Sequence, residues 1–411
     1  MNYCGGLDFG TSGIRITVIT NEGKIIYKNG INYTFEFQNP EGWISALKDI
    51  LNVIPIKIKN NILKLSISGT SGTLLACSTK GVSLGDAIPY NKAVNIKEKL
   101  INRIAGQNKT LKNPYSSLNK ALSLIDIYDG KDILLRHQSD WIAGWMLNNW
   151  EYGEEGNNIK LGWDLASSSW PKNYYSLSWQ KSLPRIRKSG DILGTIYNPI
   201  AKKLNLNENL LIIAGTTDSN AAFLAAEMNK DDGLTVLGTT IVLKKYISKP
   251  INEIGITNHR LNGEWVCGGS SNAGCGILSK YFSNKELEEL SQQINPSKSS
   301  HLKYLPLNSN GERFPVNDPF LEPIITPRPV SDALFLHGLL EGLANIEFNG
   351  WKKFEKLTGN FPKKIITIGG GSKNPQWRNI REKIIQVPII SCNKSSSYGS
   401  ALVALRSKSS C

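Results

Sequence analysis

The chain is poor in the residues that build metal and redox centres. Its six cysteines stand at 4, 77, 267, 275, 392 and 411, with no Cys-x-x-Cys pair. The four histidines, His137, His259, His301 and His337, lie at no metal-ligand spacing from one another or from a cysteine. This pattern argues against a structural zinc site and a disulfide framework, and the thiols are expected to be reduced. No apolar run reaches the roughly 18 residues of a membrane-spanning helix. No charged segment followed by an apolar one opens the chain, so cytoplasm is the expected location. Glycine, 37 of 411 residues, shows no three-residue period, which excludes collagen. Arginine is also scarce, 11 of the 48 basic residues. Arginine does most bidentate reading of bases and phosphates, and no basic run is interleaved with aromatics. Nucleic acid is therefore not an expected partner, and neither is a membrane. The net charge of +14 then reads first as a solvated, generally basic surface; the alternative is a bias toward an anionic ligand, which a nucleotide would fit.

Hydrophobic residues make up 40% of the chain, too many for a disordered one. The length fits two domains of ordinary size or one large α/β domain. Tyr3–Phe9 reads as a buried strand, Ile14–Ile19 alternates as a half-buried one, and Lys24–Lys28 makes a third. The chain therefore opens as an antiparallel meander. Gly42–Val53 has helical periodicity. Leu63–Ser68 is a strand ending in the polar loop Gly69–Thr73. Asn91–Asp129 is helical and lysine-rich, Trp141–Trp150 is an aromatic-rich helix, and Tyr152–Lys181 is irregular. Leu210–Ala214 is a strand, Gly215–Asn220 a loop, and Ala221–Met228 a helix. The polar break Asn229–Gly233 marks a domain boundary. Beyond it, strand Leu234–Leu237 runs into Gly238-Thr239-Thr240, so the opening pattern of strand, Gly-Thr turn and strand occurs twice. Ala333–Leu357 is a long helix. Lys364–Ile368 is a strand ending in Gly369–Ser372, and Ser400–Ser407 is a C-terminal helix.

Three turns carry candidate chemistry. In Asp8-Phe9-Gly10-Thr11-Ser12-Gly13 the glycines let backbone N–H groups face an anion, and Thr11 and Ser12 add hydroxyls. Asp8 closes the strand beside them. A carboxylate next to a phosphate cradle implies a cation between the two, Mg²⁺ held largely through water. The bland alternative is a plain hairpin turn. Gly238-Thr239-Thr240 repeats this chemistry. Gly369-Gly370-Gly371-Ser372-Lys373-Asn374 exposes backbone that a flat ring or a phosphate can touch, so Gly371→Val is expected to weaken nucleotide binding alone. Asp218 follows an apolar strand in a loop of small residues. It is either a carboxylate presented to a ligand or the N-cap of the next helix. No GxxxxGK[ST] loop occurs.

Together these segments resemble the FGGY carbohydrate kinases, of the actin-like ATPase fold. The resemblance rests on Leu7–Ser12, Ser139–Trp145, Ala214–Asp218 and Leu237–Thr240. It continues through Pro306 with Gly311–Pro315, Leu340–Ala344, Gly369–Asn374 with Trp377-Arg378, and Tyr398–Ala401. These stand in the family's order over nearly the whole chain. The resemblance implies an α/β chain of two actin-like, ribonuclease H-like domains around a deep cleft, each a mixed sheet with helices on both faces. Residues 1–228, completed by the C-terminal helix 398–411, would bind the sugar, and 229–397 the nucleotide. Asp218 would be the catalytic base. Asp8, Thr11, Ser12, Gly13, Ser71 and Asp218 would meet the substrate. Thr11, Ser12, Gly238, Thr239, Thr240, Gly370, Gly371, Ser372, Lys373 and Asn374 would meet ATP. Asp8 would hold Mg²⁺ through water.

The resemblance implies that the loop after Leu63–Ile67 meets the sugar. Xylulose kinases carry a Gly-Gln-Met-His-Gly type segment there and glycerol kinases an Asn-Gln-Arg-Glu type. This chain has Ser68-Gly69-Thr70-Ser71-Gly72-Thr73. It resembles the compact branch that phosphorylates D-ribulose, which becomes the expected substrate. D-xylulose or another polyol is the alternative, and a non-kinase actin-fold ATPase acting as a regulatory module is the rival from a different class. The segment Ser270–Gly276 departs from the family pattern at the adenine contacts.

Overall fold

The structure, a computed structural model, describes residues 2–95, 98–106, 108, 110–129 and 132–407. The strands in chain order are β1 (Tyr3–Phe9), β2 (Gly13–Thr20), β3 (Ile25–Asn32), β4 (Ile62–Gly69), β5 (Leu74–Ser78), β6 (Ile133–His137), β7 (Tyr152–Glu154), β8 (Arg185–Arg187), β9 (Ile192–Thr195) and β10 (Leu211–Thr217). There follow β11 (Gly233–Leu237), β12 (Ile241–Ile247), β13 (Ile256–Leu261), β14 (Glu264–Ser270), β15 (Ile365–Ile368) and β16 (Ile389–Ser391). The chain folds into two compact units. One takes the described residues within Met1–Ala225, Arg260–Gly263 and Lys394–Cys411; the other takes Ala226–His259 and Glu264–Asn393.

The first unit is built on a six-stranded mixed sheet of order β3-β2-β1-β4-β10-β9. β1, β4 and β10 run parallel, so their C-terminal ends meet on one edge. The opening meander is antiparallel, as its alternation and turn residues predict. Side chains of a strand alternate between faces. On one face Leu7, Phe9, Leu65 and Ile67 join a core with Trp43, Leu47 and Trp141. These come from helices Pro40–Asn52 and Gln138–Leu147. On the other face lies helix Ser396–Leu405, whose Ser397 and Ser400 bond Thr17 and Ser68. Gly6 allows this approach: a Cβ there would stand 2.0 Å from the Ala401 nitrogen. The four C-terminal residues of the expected helix 398–411 lie outside the described residues.

The second unit repeats the plan with order β13-β14-β12-β11-β15-β16. β11 and β12 pair across Gly238–Thr240 as β1 and β2 pair across Gly10–Ser12. Its core packs the long helix Asp332–Thr358 on the sheet through Leu336, Leu339, Leu343 and Trp351. Beneath the sheet the buried Glu347 carboxylate receives Arg381 at 2.6 and 2.7 Å and the Thr235 hydroxyl at 2.5 Å.

Several elements depart from the sequence expectation. The expected helix at Trp141–Trp150 starts at Gln138 and stops at Leu147, because Asn148 turns left-handed at φ 52°. The lysine-rich stretch Asn91–Asp129 holds two helices, Glu98–Ala105 and Ser117–Ile127. Residues 96, 97, 107 and 109 of that stretch lie outside the description. β10 runs on through Gly215–Thr217, expected as loop, because Gly215 lets it pass against the Ile67 carbonyl. Helix Asp218–Ala225 therefore begins at Asp218 itself. Helix Pro375–Ile385 was not legible from periodicity; Asn374 caps it by accepting from the Trp377 N–H.

Candidate active site

In the first unit the site is assembled at the C-terminal ends of β1, β4 and β10, the edge where open α/β sheets bind ligands. Asp8 is the penultimate residue of β1, opposite Arg15 on β2 and Ser68 on β4. Its carboxylate is 3% exposed, and Oδ1 has no hydrogen-bond donor among the described residues. Arg15 stands 3.7 Å from Oδ2 but is itself largely in solvent. Burial first, then the charge of Asp218, push the Asp8 carboxyl up to about 7, with Arg15 opposing. Asp218 is the first residue of its helix, and its Oδ1 accepts the Ser219 N–H at 2.7 Å. It thus takes the place of an N-terminal acid, where the helix dipole favours a negative charge. Two carboxylates within electrostatic reach, one of them with a bare buried oxygen, make a place for a cation.

One cation is already there. Lys160, in the turn Ile159–Leu161, donates to the Ser71 carbonyl at 3.0 Å. Burial lowers its ammonium from the ordinary lysine range, and Asp218 opposes that shift. No sequence motif marked Lys160; it lies in the stretch read only as irregular. Tyr33 and Tyr90 were missed too. The Tyr33 hydroxyl donates to the Gly10 carbonyl at 3.1 Å, and burial followed by the Asp8 charge raises its pKa. Tyr90 reaches Thr11, whose hydroxyl donates to it at 3.5 Å.

The loop after β4 is stiffened from within. Thr70 and Thr73 bond each other at 2.7 Å, and the Thr70 N–H and hydroxyl both donate to the Gln138 side chain. Those threonines are spent on structure. Ser71 remains at the tip, half-buried, its hydroxyl without a partner among the described residues. Thr11 and Ser12 are exposed on the β1–β2 turn. Gly13 has a packing reason to be glycine: a Cβ there would meet the Ile31 carbonyl oxygen at 2.1 Å.

In the second unit Gly238–Thr240 and Gly369–Asn374 come together beside Cys275. The Cys275 N–H donates to the Gly238 carbonyl, and the Gly276 N–H to that of Thr239. Glu312 of the Gly311–Pro315 motif is buried and accepts from the Ser271 hydroxyl and the Asn272 N–H, so it anchors the segment 270–276. Asn374 is engaged on both sides, as helix cap and as donor to Ser291. The expectation for Gly371 needs correction. A Cβ there would strike the Trp377 ring at 2.5 Å and Leu237 at 2.8 Å, which is protein and not ligand space. At Gly370 a Cβ meets nothing within 4 Å. Gly371→Val is therefore expected to destabilise the unit by overpacking, by about 1–3 kcal/mol. Gly370→Val should leave the melting temperature in place and weaken ATP alone. Calorimetry and thermal unfolding on both variants check this, and equal behaviour would contradict it.

Comparison with known proteins agrees with this architecture. Residues 233–407 match the C-terminal domain of the FGGY family of carbohydrate kinases. A xylulose kinase of Lactococcus lactis subsp. lactis is 24% identical over 95% of this chain and 84% of its own. A ligand-bound xylulose kinase structure from Lactobacillus acidophilus superposes with a TM-score of 0.80 at 17% identity, covering 99% of this chain and 89% of that one. Plasmodium falciparum glycerol kinase with ADP also gives 0.80 at 17% identity, over 98% and 89%. Residues 233–407 thus carry the C-terminal domain of the FGGY family of carbohydrate kinases, and the chain has the two-sheet α/β fold of the solved kinases. It is an ATP-dependent sugar kinase. Among the described residues no helix is long and apolar enough to cross a membrane.

Proposed function

We propose that this kinase phosphorylates a neutral ketopentose, with D-xylulose as the first substrate to test and D-ribulose the second. The observation that carries the reading is the placing of Asp8 and Asp218 at the C-terminal edge of one sheet, with Lys160, within electrostatic reach of Asp218, holding the tip of the Ser71 loop. The loop has small hydroxyl side chains and no charged one, which suits a neutral polyol. The ordering of the two ketoses rests on the relatives. Those from Lactococcus lactis subsp. lactis and Bacillus subtilis are named xylulose kinases.

In this reading Asp218 accepts the proton of the attacking sugar hydroxyl. An alcohol is a poor nucleophile, and a carboxylate at hydrogen-bond distance orients it and removes its proton as it attacks. Lys160 places a cation within electrostatic reach of that carboxylate. Ser71 orients the sugar by donating and accepting. Each of the turns Gly10–Gly13, Gly238–Thr240 and Gly370–Asn374 carries, within its own unit, N–H and hydroxyl donors of the kind that bind phosphate oxygens. Among the described residues no cluster of three or more acidic, His or Cys side chains could hold a metal. The donor set fits Mg²⁺, which takes one or two carboxylates and completes its shell with water and phosphate oxygens. Asp8 would hold it, through the oxygen that lacks a donor. When bound, Mg²⁺ neutralises charge on the transferring phosphoryl group.

A coupled assay of ADP release over D-xylulose, D-ribulose, glycerol and gluconate tests the proposal. A ketopentose should stimulate turnover far above basal ATP hydrolysis. Stimulation by glycerol or gluconate alone would overturn it. Ser71→Ala is expected to raise KM for the ketose roughly two- to tenfold, the effect of one neutral hydrogen bond, with KM for ATP unchanged. If both constants stay put while stability falls, Ser71 serves only its loop.

A further inference from the structure

Helix Ser117–Ile127 points Lys120 into the first unit, where its side chain is fully buried. Buried lysines are ordinarily paired with an acid. Among the described residues Lys120 has no such partner. Its ammonium instead donates to two backbone carbonyls, Gly72 at 2.8 Å and Pro89 at 2.7 Å. Each carbonyl is next in sequence to a residue at the site. Gly72 follows Ser71, and Pro89 precedes Tyr90. The Tyr90 N–H also donates to the Thr73 hydroxyl at 3.1 Å, so the two segments are joined side by side. Lys160 takes the Ser71 carbonyl itself. Two lysines thus hold three carbonyls around one tip.

We propose that Lys120 is a positioning residue for the sugar: it clamps the 70–73 loop to the 89–90 segment and so fixes where the Ser71 hydroxyl and the Tyr90 ring stand. The proposal rests on the reading of this edge as the sugar site. The alternative is a lysine that only fills the core. Filling the core needs no ammonium, because desolvating a charge costs more than a methionine of similar length would. The carbonyls explain its retention, since a bare carbonyl at this depth would itself be costly.

The electrostatic surroundings are consistent with a clamp under load. Burial pushes the Lys120 ammonium down to about 7, and the charge of Lys160 adds to this. His137 on β6 faces the same helix, bonded to the Ser117 hydroxyl at 2.8 Å. Asp140 lies behind it, 3.7 Å from the imidazole. Between about pH 7 and the ordinary lysine value, the unfolded chain binds a proton that the native chain has released. Lys120 therefore makes stability rise with pH through that window, and its removal should flatten the rise.

The decisive experiment is a double-mutant cycle of Lys120→Met with Ser71→Ala, read by KM for the ketose, KM for ATP and kcat. Lys120→Met is expected to raise KM for the ketose by roughly tenfold, the loss of two N–H donations that act through Ser71. KM for ATP and kcat at saturating ketose should change less than about twofold. In the Lys120→Met background Ser71→Ala should have little further effect, because the hydroxyl is already displaced; contacting residues couple in this way. Additive effects of the two substitutions, or an equal loss in all three kinetic constants, would overturn the clamp. Should Lys120→Met fail to fold, Lys120→Gln keeps two N–H donors on a shorter stem and carries the same cycle. If the unaltered enzyme takes no ketose at all, the proposed substrate fails first, and the cycle is then read with the sugar that the panel finds. The clamp stands or falls on the coupling in either case.

Discussion

Asp218→Asn is expected to lower kcat by about 10²–10⁴, the range for loss of a positioned general base, while ATP binding measured by calorimetry stays intact. Asparagine keeps an oxygen for the Ser219 N–H, so the start of the helix should survive. The variant separates chemistry from folding in a second way. The Asp218 charge is one of the causes that push the Asp8 carboxyl up, and its removal lets Asp8 ionise more easily. The same change removes the attraction between Asp218 and Lys160, so the two effects offset and thermal stability should stay close to that of the parent chain. A carboxylate pair that strains the empty site and serves the reaction is the trade between stability and activity expected of an active site. Near-normal turnover of this variant would remove Asp218 from the catalytic role.

The second large effect is on stability and lies in the other unit. Arg381 and Glu347 are each 1% exposed. Their bidentate pair ties helix Pro375–Ile385 to helix Asp332–Thr358. Thr235 on β11 and Thr367 on β15 donate or accept at its edge. Arg381→Met leaves the carboxylate buried with the Thr235 hydroxyl and the Trp351 N–H as donors and no cation. Breaking such a pair costs about 3–5 kcal/mol, against a total of roughly 5–15 kcal/mol for a whole domain. Urea unfolding should show a correspondingly lower midpoint. Adding Glu347→Met to the same chain should recover much of the loss, because two packed apolar side chains leave no charge unpaired. A double variant as unstable as the single one would show that the arginine acts through packing and not through charge.

What could be read beforehand follows the physics of each segment. The β1–β2–β3 meander was legible because it alternates over a half-buried sheet and turns at Asn21-Glu22-Gly23, all local signals. Helix Asp332–Thr358 was legible because its apolar stripe runs for several turns. Asp218 stood out because an acid after an apolar strand is chemically conspicuous. Its position as first residue of the helix was not legible, since β10 extends through Gly215–Thr217 only by pairing with β4. Gly371 shows the opposite failure. The three glycines look equivalent in sequence, yet Trp377 and Leu237 crowd one and leave Gly370 open. Lys120 and Lys160 gave no signal at all, because a lysine in a polar stretch is ordinarily a surface residue.

The sequence by itself determined the class of fold, the repeated strand–turn–strand plan and the resemblance to the FGGY kinases, because these rest on periodicity, turn chemistry and ordered motifs that neighbouring residues carry together. Tertiary structure alone decided which glycine faces open space, which threonines of the 70–73 loop are spent on structure, and which lysines turn inward to hold the carbonyls of that loop. The physical reason is the same in each case. Whether a polar group is available to a ligand depends on what stands within about 3 Å of it, and at this site those neighbours come from segments tens of residues away. Lys120 meets Gly72, Lys160 meets Ser71, and Asp8 feels Asp218 only after the strands have brought them to one edge.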